Sequence, residues 1–158
     1  MIVLGVDPGL AATGYGVVRR DGRHVLWQDH GCIRTLASAQ TSTRLRCIYD
    51  GICDVIRSRE PDLVVLEEAF AKDVVPKAAI SIGQVIGVLL LASSQHNCEV
   101  RFVAARSVKQ AITGSGSAEK SQLCRSLQRM LGLKDEVRPD HAADALGLAY
   151  VGALRWKD

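Results

Sequence analysis

The chain has no C-x-x-C pair among its five cysteines, Cys32, Cys47, Cys53, Cys98 and Cys124. Their odd number and their scatter through apolar segments exclude a disulfide framework and a structural zinc site, and read as reduced thiols. No apolar run reaches the roughly 20 residues that cross a bilayer. The longest, residues 78–93, is interrupted by Gln84, so no transmembrane helix is expected. The opening MIVLGVDPG lacks the cationic stretch of a secretory leader and puts Asp7 where a leader is wholly apolar; the expected location is the cytoplasm. Internal repeats, low-complexity tracts and linkers are also missing. What is present is 158 residues with 47% hydrophobic and 23% charged side chains, enough apolar material to offset ordering entropy and a length that suits one domain over residues 1–158.

The net charge of +3 decides little; its distribution says more. Residues 99–134 carry seven basic side chains (Arg101, Arg106, Lys109, Lys120, Arg125, Arg129, Lys134) against Glu99 and Glu119, whereas the preceding residues hold ten basic and ten acidic side chains. A neutral body with one cationic stretch suggests a surface for phosphates, although a solvated helix face would look the same.

Ile2–Val6 is short, β-branched and stopped by Asp7-Pro8-Gly9, which predicts a buried strand. Gly14–Arg19 and Val25–Ile33 flank the Asp21-Gly22 turn, a hairpin signal. Ser42–Arg59 places Leu45, Ile48, Ile52, Val55 and Ile56 on one helical face and ends before Pro61. Asp62–Leu66 predicts a strand parallel to an earlier one. Residues 76–95 read as a helix that is apolar nearly all round, and in a small domain its second face calls for a partner subunit, hence a homodimer. Val100–Val103 is a strand and Ala105–Ile112 a helix. Thr113–Ser117 is a flexible loop with Ser117 as cap for a helix ending at Gly132. The last helix opens at Pro139-Asp140, with Asp140 as its cap. The order describes an α/β fold with a five-stranded mixed sheet flanked by helices.

Acids recur where such a sheet places ligands, outside the carboxyl ends of its parallel strands. Asp7 ends the first strand and Glu67 the fourth. His141 and Asp144, spaced i and i+3, project from one face of the last helix. Each alone has an ordinary explanation as a turn former, loop charge or cap. Together, three separated segments deliver hard ligands to one place, and converging carboxylates are costly unless a cation neutralises them. Oxygen-rich ligation favours Mg²⁺ or Mn²⁺, and two such ions roughly 3.5 to 4 Å apart clamp the attacking and leaving oxygens of a phosphodiester. Hydrolysis of a nucleic-acid backbone is the expected chemistry.

The opening strand with Thr13-Gly14-Tyr15-Gly16, the segments Gly31–Thr35, Leu66-Glu67-Glu68-Ala69-Phe70, Gly114–Lys120 and Asp140-His141-Ala142-Ala143-Asp144-Ala145-Leu146 together resemble the RuvC-type Holliday-junction resolvases, in order and over residues 1 to about 152. The resemblance implies a ribonuclease H-like fold, a cytoplasmic homodimer and Mg²⁺-dependent symmetric nicking of four-way DNA junctions in recombination and repair. It also suggests contact with the RuvA-RuvB branch-migration complex. It places the family's four catalytic, metal-binding positions on Asp7, Glu67, His141 and Asp144, where His stands at a place often held by Asp. Imidazole binds metal only when neutral and suits Mn²⁺ at least as well as Mg²⁺, so activity is expected to fall as pH drops through about 6.5.

Asp140, spaced i and i+4 from Asp144, rivals His141, with a capping role expected for it. Glu68 rivals Glu67, but neighbours leaving a strand point to opposite faces. With only 4% aromatics, Phe70 three residues after Glu67 suggests stacking on an unpaired junction base; a core anchor is the alternative. Lys109 and Lys120 match family positions for DNA-contacting basic residues near the site. Arg106, Arg125 and Arg129 lack so specific a match and are candidates for contact with the DNA arms. Competing readings are a ribonuclease H-like nuclease of the YqgF type acting on RNA, an ATPase of the actin and sugar-kinase kind, and a non-catalytic junction-binding protein.

Overall fold

A computed structural model describes residues 1–68 and 76–156. Its strands are β1 (Ile2–Asp7), β2 (Ala12–Asp21), β3 (His24–Arg34), β4 (Leu63–Glu67) and β5 (Glu99–Val103). The helices are α1 (Thr41–Arg59), α2 (Pro76–Gln95), α3 (Ala105–Thr113), α4 (Lys120–Met130) and α5 (Asp140–Arg155). The sheet order is β3-β2-β1-β4-β5. β1 pairs antiparallel with β2, and β2 with β3; β4 runs parallel to both β1 and β5. The expected five-stranded mixed sheet is therefore present. Its hairpin strands extend further than the apolar runs alone suggest, because β2 and β3 pair from Ala12–Arg34 to Asp21–His24 regardless of side-chain polarity.

Alternation along the central strands divides the core between the two faces. Val3 and Val65 face one cluster, with Val108, Leu127, Leu146 and Ala149 of α3, α4 and α5. Leu4, Val64 and Leu66 face the other, with Ile48, Ile52 and Ile56 of α1 and Val85 and Leu89 of α2. The predicted stripe of α1 is the buried one: Ile48, Ile52, Val55 and Ile56.

α5 lies unusually close to the sheet because glycines face it. A Cβ at Gly5 would sit 2.1 Å from the Ala145 carbonyl oxygen, and one at Gly14 2.0 Å from that of His141. Ala142, Ala143, Ala145 and Ala149 complete the contact with small side chains. Close approach at Gly14 sets the first turn of α5 beside the end of β1, where Gly14 pairs with Asp7.

One expectation holds over its full length and three need correction. α2 runs for 20 residues, and its segment Ala78–Gln95 is long and apolar enough by length and composition to cross a membrane, with 22% of it buried. Gln84 does not interrupt it, since one polar side chain leaves helix geometry intact; Val85, Leu89 and Ala92 pack into the core beside α1. The cap of α4 is Glu119, not Ser117: the Glu119 side chain takes the Gln122 backbone N–H while Gln122 returns a bond to the Glu119 backbone. At α5 the capping position belongs to Pro139, which leaves Asp140 in the first turn with its charge favourably placed for the helix dipole. The segment Thr113–Ser117 is tethered rather than free. Gln110 donates to the Gly114 carbonyl at 2.8 Å and accepts from the Gly116 N–H at 3.0 Å.

Candidate active site

Asp7 stands at the carboxyl end of β1 and is nearly buried, 8% exposed. The turn after it is fixed by Thr13, whose hydroxyl donates to the Gly9 carbonyl at 2.8 Å. Parallel pairing brings Glu67, the last residue of β4, to the same edge, and α5 supplies His141 and Asp144 from its first turns. His141 Nδ1 lies 2.6 Å from Asp7 Oδ2. Lys120, the first residue of α4, donates to Asp144 Oδ2 at 3.2 Å. These five side chains and Lys109 of α3 line a cavity of 290 Å³.

Burial pushes the Glu67 carboxyl up to about 7, helped by a hydrogen bond to Asp7 and by the charges of Asp7 and Asp144, while Lys120 pulls the other way. Burial also raises Asp144, and there Lys120 is the largest opposing influence. Asp144 in turn holds the Lys120 ammonium above the ordinary lysine range. The site is therefore a crowd of carboxylates that a single lysine only partly offsets, and Glu67 answers by keeping its proton near neutrality.

A second cleft of 820 Å³ adjoins the first and shares Asp7 and Glu67 with it. Its wall includes Ala104, Ala105 and Ala111, with Arg106, Ser107 and Gln110 on the same side. Acids at one end and a basic, partly apolar wall at the other give a path that a phosphate chain can follow.

The profile of the family described as "Crossover junction endodeoxyribonuclease RuvC" matches residues 3–151. The chain belongs to the RuvC family. It is 41% identical over 153 residues to the RuvC crossover junction endodeoxyribonuclease of Vibrio vulnificus strain YJ016, covering 96% of this chain and 86% of that relative. Among solved structures it is similar to Thermus thermophilus RuvC, with a TM-score of 0.85, 30% identity and coverage of 94% of this chain and 91% of that one. A second T. thermophilus RuvC structure, in complex with Holliday junction substrate, superposes with the same TM-score of 0.85 at 28% identity, covering 94% and 90% of the two chains. A RuvC identity makes the chain a nuclease of the crossover junction class and gives its mixed sheet the ribonuclease H-like resolvase fold.

Of the residues singled out from the RuvC resemblance, Asp7, Glu67, His141, Asp144, Lys109 and Lys120 all reach one cavity. Asp140 is exposed and lines neither cleft, while its neighbour His141 makes the contact to Asp7. Glu68 lines only the larger cleft, and its backbone N–H bonds the Val103 carbonyl at 3.0 Å. Phe70 lies outside the described residues. Ser107 and Gln110 were not anticipated at the cleft wall. Their spacing on α3 was legible, but nothing in the sequence said which face of so short a helix turns towards the acids.

The donor set is three carboxylates and an imidazole, the chemistry of a hard divalent cation. Burial, with the neighbouring charges of Asp7 and Asp144, keeps a proton on Glu67 and marks a place where added positive charge is favourable. Among the described residues no three of these donors close into a ready-made cage; Asp144 is turned to Lys120 and Asp7 to His141.

Proposed function

We propose that this chain resolves four-way DNA junctions by hydrolytic, symmetric nicking of two strands, acting in recombination and repair. The observation that carries the reading is the convergence of Asp7, Glu67, His141 and Asp144 on a cavity whose other charged residues are Lys109 and Lys120, in a chain of the RuvC family. Asp7, Glu67, Asp144 and His141 would hold the metal, Mg²⁺ by preference for oxygen ligands, with two ions as the stoichiometry and Mn²⁺ as a substitute that imidazole tolerates. Bound there, such ions supply Lewis-acid polarisation of the phosphodiester and a more acidic attacking water.

The protein's own groups prepare that event. His141 holds the Asp7 carboxylate by its Nδ1 contact and fixes which oxygen faces the cavity. Glu67 carries a proton shared towards Asp7 and must release it before both carboxylates act as anions. Lys120 neutralises Asp144 in the resting site and would steady a phosphate oxygen there, with Lys109 lining the same cavity. Phe70 is assigned to stacking on an unpaired junction base.

The protein acts as a homodimer, because α2 leaves Ile80 65% and Leu91 53% exposed on an otherwise apolar helix. A symmetric pair of sites also matches a symmetric pair of cuts. Contact with the RuvA-RuvB complex and a cytoplasmic location complete the reading. A nicking assay on an immobile four-way junction, compared with a structured RNA, tests it: preference for RNA would transfer the chain to the RNA-directed alternative.

A further inference from the structure

Five of the 14 arginines of this protein stand in ion pairs among the described residues. Arg46 pairs with Asp50, Arg57 with Asp54, Arg59 with Asp29, Arg101 with Glu99 and Arg138 with Glu136. α4 brings two of the others together on one helix. Its Arg125 and Arg129, spaced i and i+4, are exposed and have no carboxylate partner among the described residues. Two like charges at this spacing cost the helix about 0.2 to 0.5 kcal/mol, and no carboxylate among the described residues pairs with them to offset it. The acid just before α4, Glu119, already spends its carboxylate on the cap of that helix.

Both arginines face a groove of 360 Å³ between the outward side of α4 and the segment after α3, lined also by Thr113, Ser115, Gln122 and Ser126 and, among the described residues, by no acid. Leu123, Cys124 and Leu127 occupy the opposite, buried side of α4, so the arginines point away from the core and from Asp144. The far wall is rigid: Gln110 ties down Gly114 and Gly116, Thr113 donates to the Lys109 carbonyl at 2.8 Å, and the Ser115 and Ser117 hydroxyls meet at 3.1 Å. A preformed, acid-free groove of hydroxyls and an amide with two unpaired guanidinium groups matches bidentate recognition of phosphate oxygens. With a rise of about 1.5 Å per residue, Arg125 and Arg129 stand about 7.5 and 13.5 Å along α4 from Lys120, about two to four nucleotides of duplex away at about 3.4 Å per step.

We propose that this groove is a second seat for the DNA backbone, in which Arg125 and Arg129 grip phosphates of a junction arm while the carboxylate cavity takes the phosphate to be cut. The inference rests on the nuclease reading and adds a contact that steadies the arm without touching the chemistry.

The test is R125A/R129A in the full chain, with R125K/R129K as the charge-keeping control and thermal melting to establish folding. Binding of a four-way junction is followed across a salt series. For R125A/R129A the slope of log K against log salt is expected to shrink by about 2, one per phosphate contact, with roughly tenfold weaker binding near 100 mM salt and turnover at saturating junction unchanged. R125K/R129K should retain the slope and lose part of the affinity. Wild-type slope and affinity in R125A/R129A would overturn the proposal. So would saturable, micromolar binding of inorganic phosphate alone that R125A/R129A abolishes, since the groove would then serve a free anion. If the wild-type protein cuts no junction, the nuclease reading fails separately; the groove is then judged by the same variants on plain duplex, where an unchanged slope overturns it.

Discussion

His141 Nδ1 sits 2.6 Å from Asp7 Oδ2 across 134 residues of chain. That contact exists because Gly14, paired with Asp7 on the neighbouring strand, has no Cβ to hold α5 away. Gly14→Ala should push the His141 backbone off the sheet. The expected loss is about 1 to 3 kcal/mol of stability, as for other overpacked contacts, and a fall in junction nicking larger than the stability change explains. Thermal melting beside single-turnover nicking separates the two.

Glu67 sets the pH behaviour of the metal-free protein. Its carboxyl titrates near 7 in the fold against 4.5 unfolded, so the native state binds the extra proton between those values and stability falls as pH rises through that window. Glu67→Gln removes the term. The variant should melt higher than wild type at pH 8, by about 1 to 2 kcal/mol after allowance for solvent screening of a partly exposed group, and the difference should vanish near pH 4.5. Divalent binding runs the other way, strengthening as pH rises through 7 because the proton competes with the cation. A loss of metal affinity as pH falls through 7 therefore reports Glu67, and Mn²⁺ titration of Glu67→Gln beside wild type across that range checks it.

Lys120 should show opposite effects on two readouts. Removing its ammonium frees Asp144, so Lys120→Ala is expected to bind Mn²⁺ about tenfold more tightly by spin-resonance titration, consistent with loss of a close charge competitor. The same change should slow nicking roughly tenfold to a hundredfold, because the cation that steadies phosphate charge is gone. Tighter metal with faster nicking would assign Lys120 to restraint alone.

The exposed side of α2 offers a separate check. Ile80→Arg combined with Leu91→Glu should leave the fold intact and shift sedimentation from dimer to monomer at micromolar concentration. A wild-type protein that sediments only as monomer would remove the dimer from the account.

Much of this was legible in the sequence, for physical reasons that differ from element to element. β1, β4 and α1 announce themselves through β-branched runs and a clean helical stripe, and they are the elements that carry Asp7 and Glu67 to one edge. The i, i+3 spacing of His141 and Asp144 put both on one helical face. The caps were not legible: Ser117, Glu119 and Asp140 are all competent, and the choice depends on where the preceding chain turns. The extent of α2, residues 76–95, was legible, since a single Gln84 breaks an apolar run without breaking a helix. The pairing of Lys120 with Asp144 depends on how α4 meets α5, a tertiary contact without local signature.

The most direct test is single-turnover nicking of an immobile four-way junction by wild type and Asp7→Asn, each with and without Mg²⁺ or Mn²⁺. The account predicts paired, symmetric nicks by wild type only when a divalent ion is present. Asp7→Asn should fold and bind the junction normally but cut at least about a thousandfold more slowly, a loss of roughly 4 kcal/mol of transition-state stabilisation. Cleavage by Asp7→Asn at the wild-type rate, or by wild type in chelator, would contradict it.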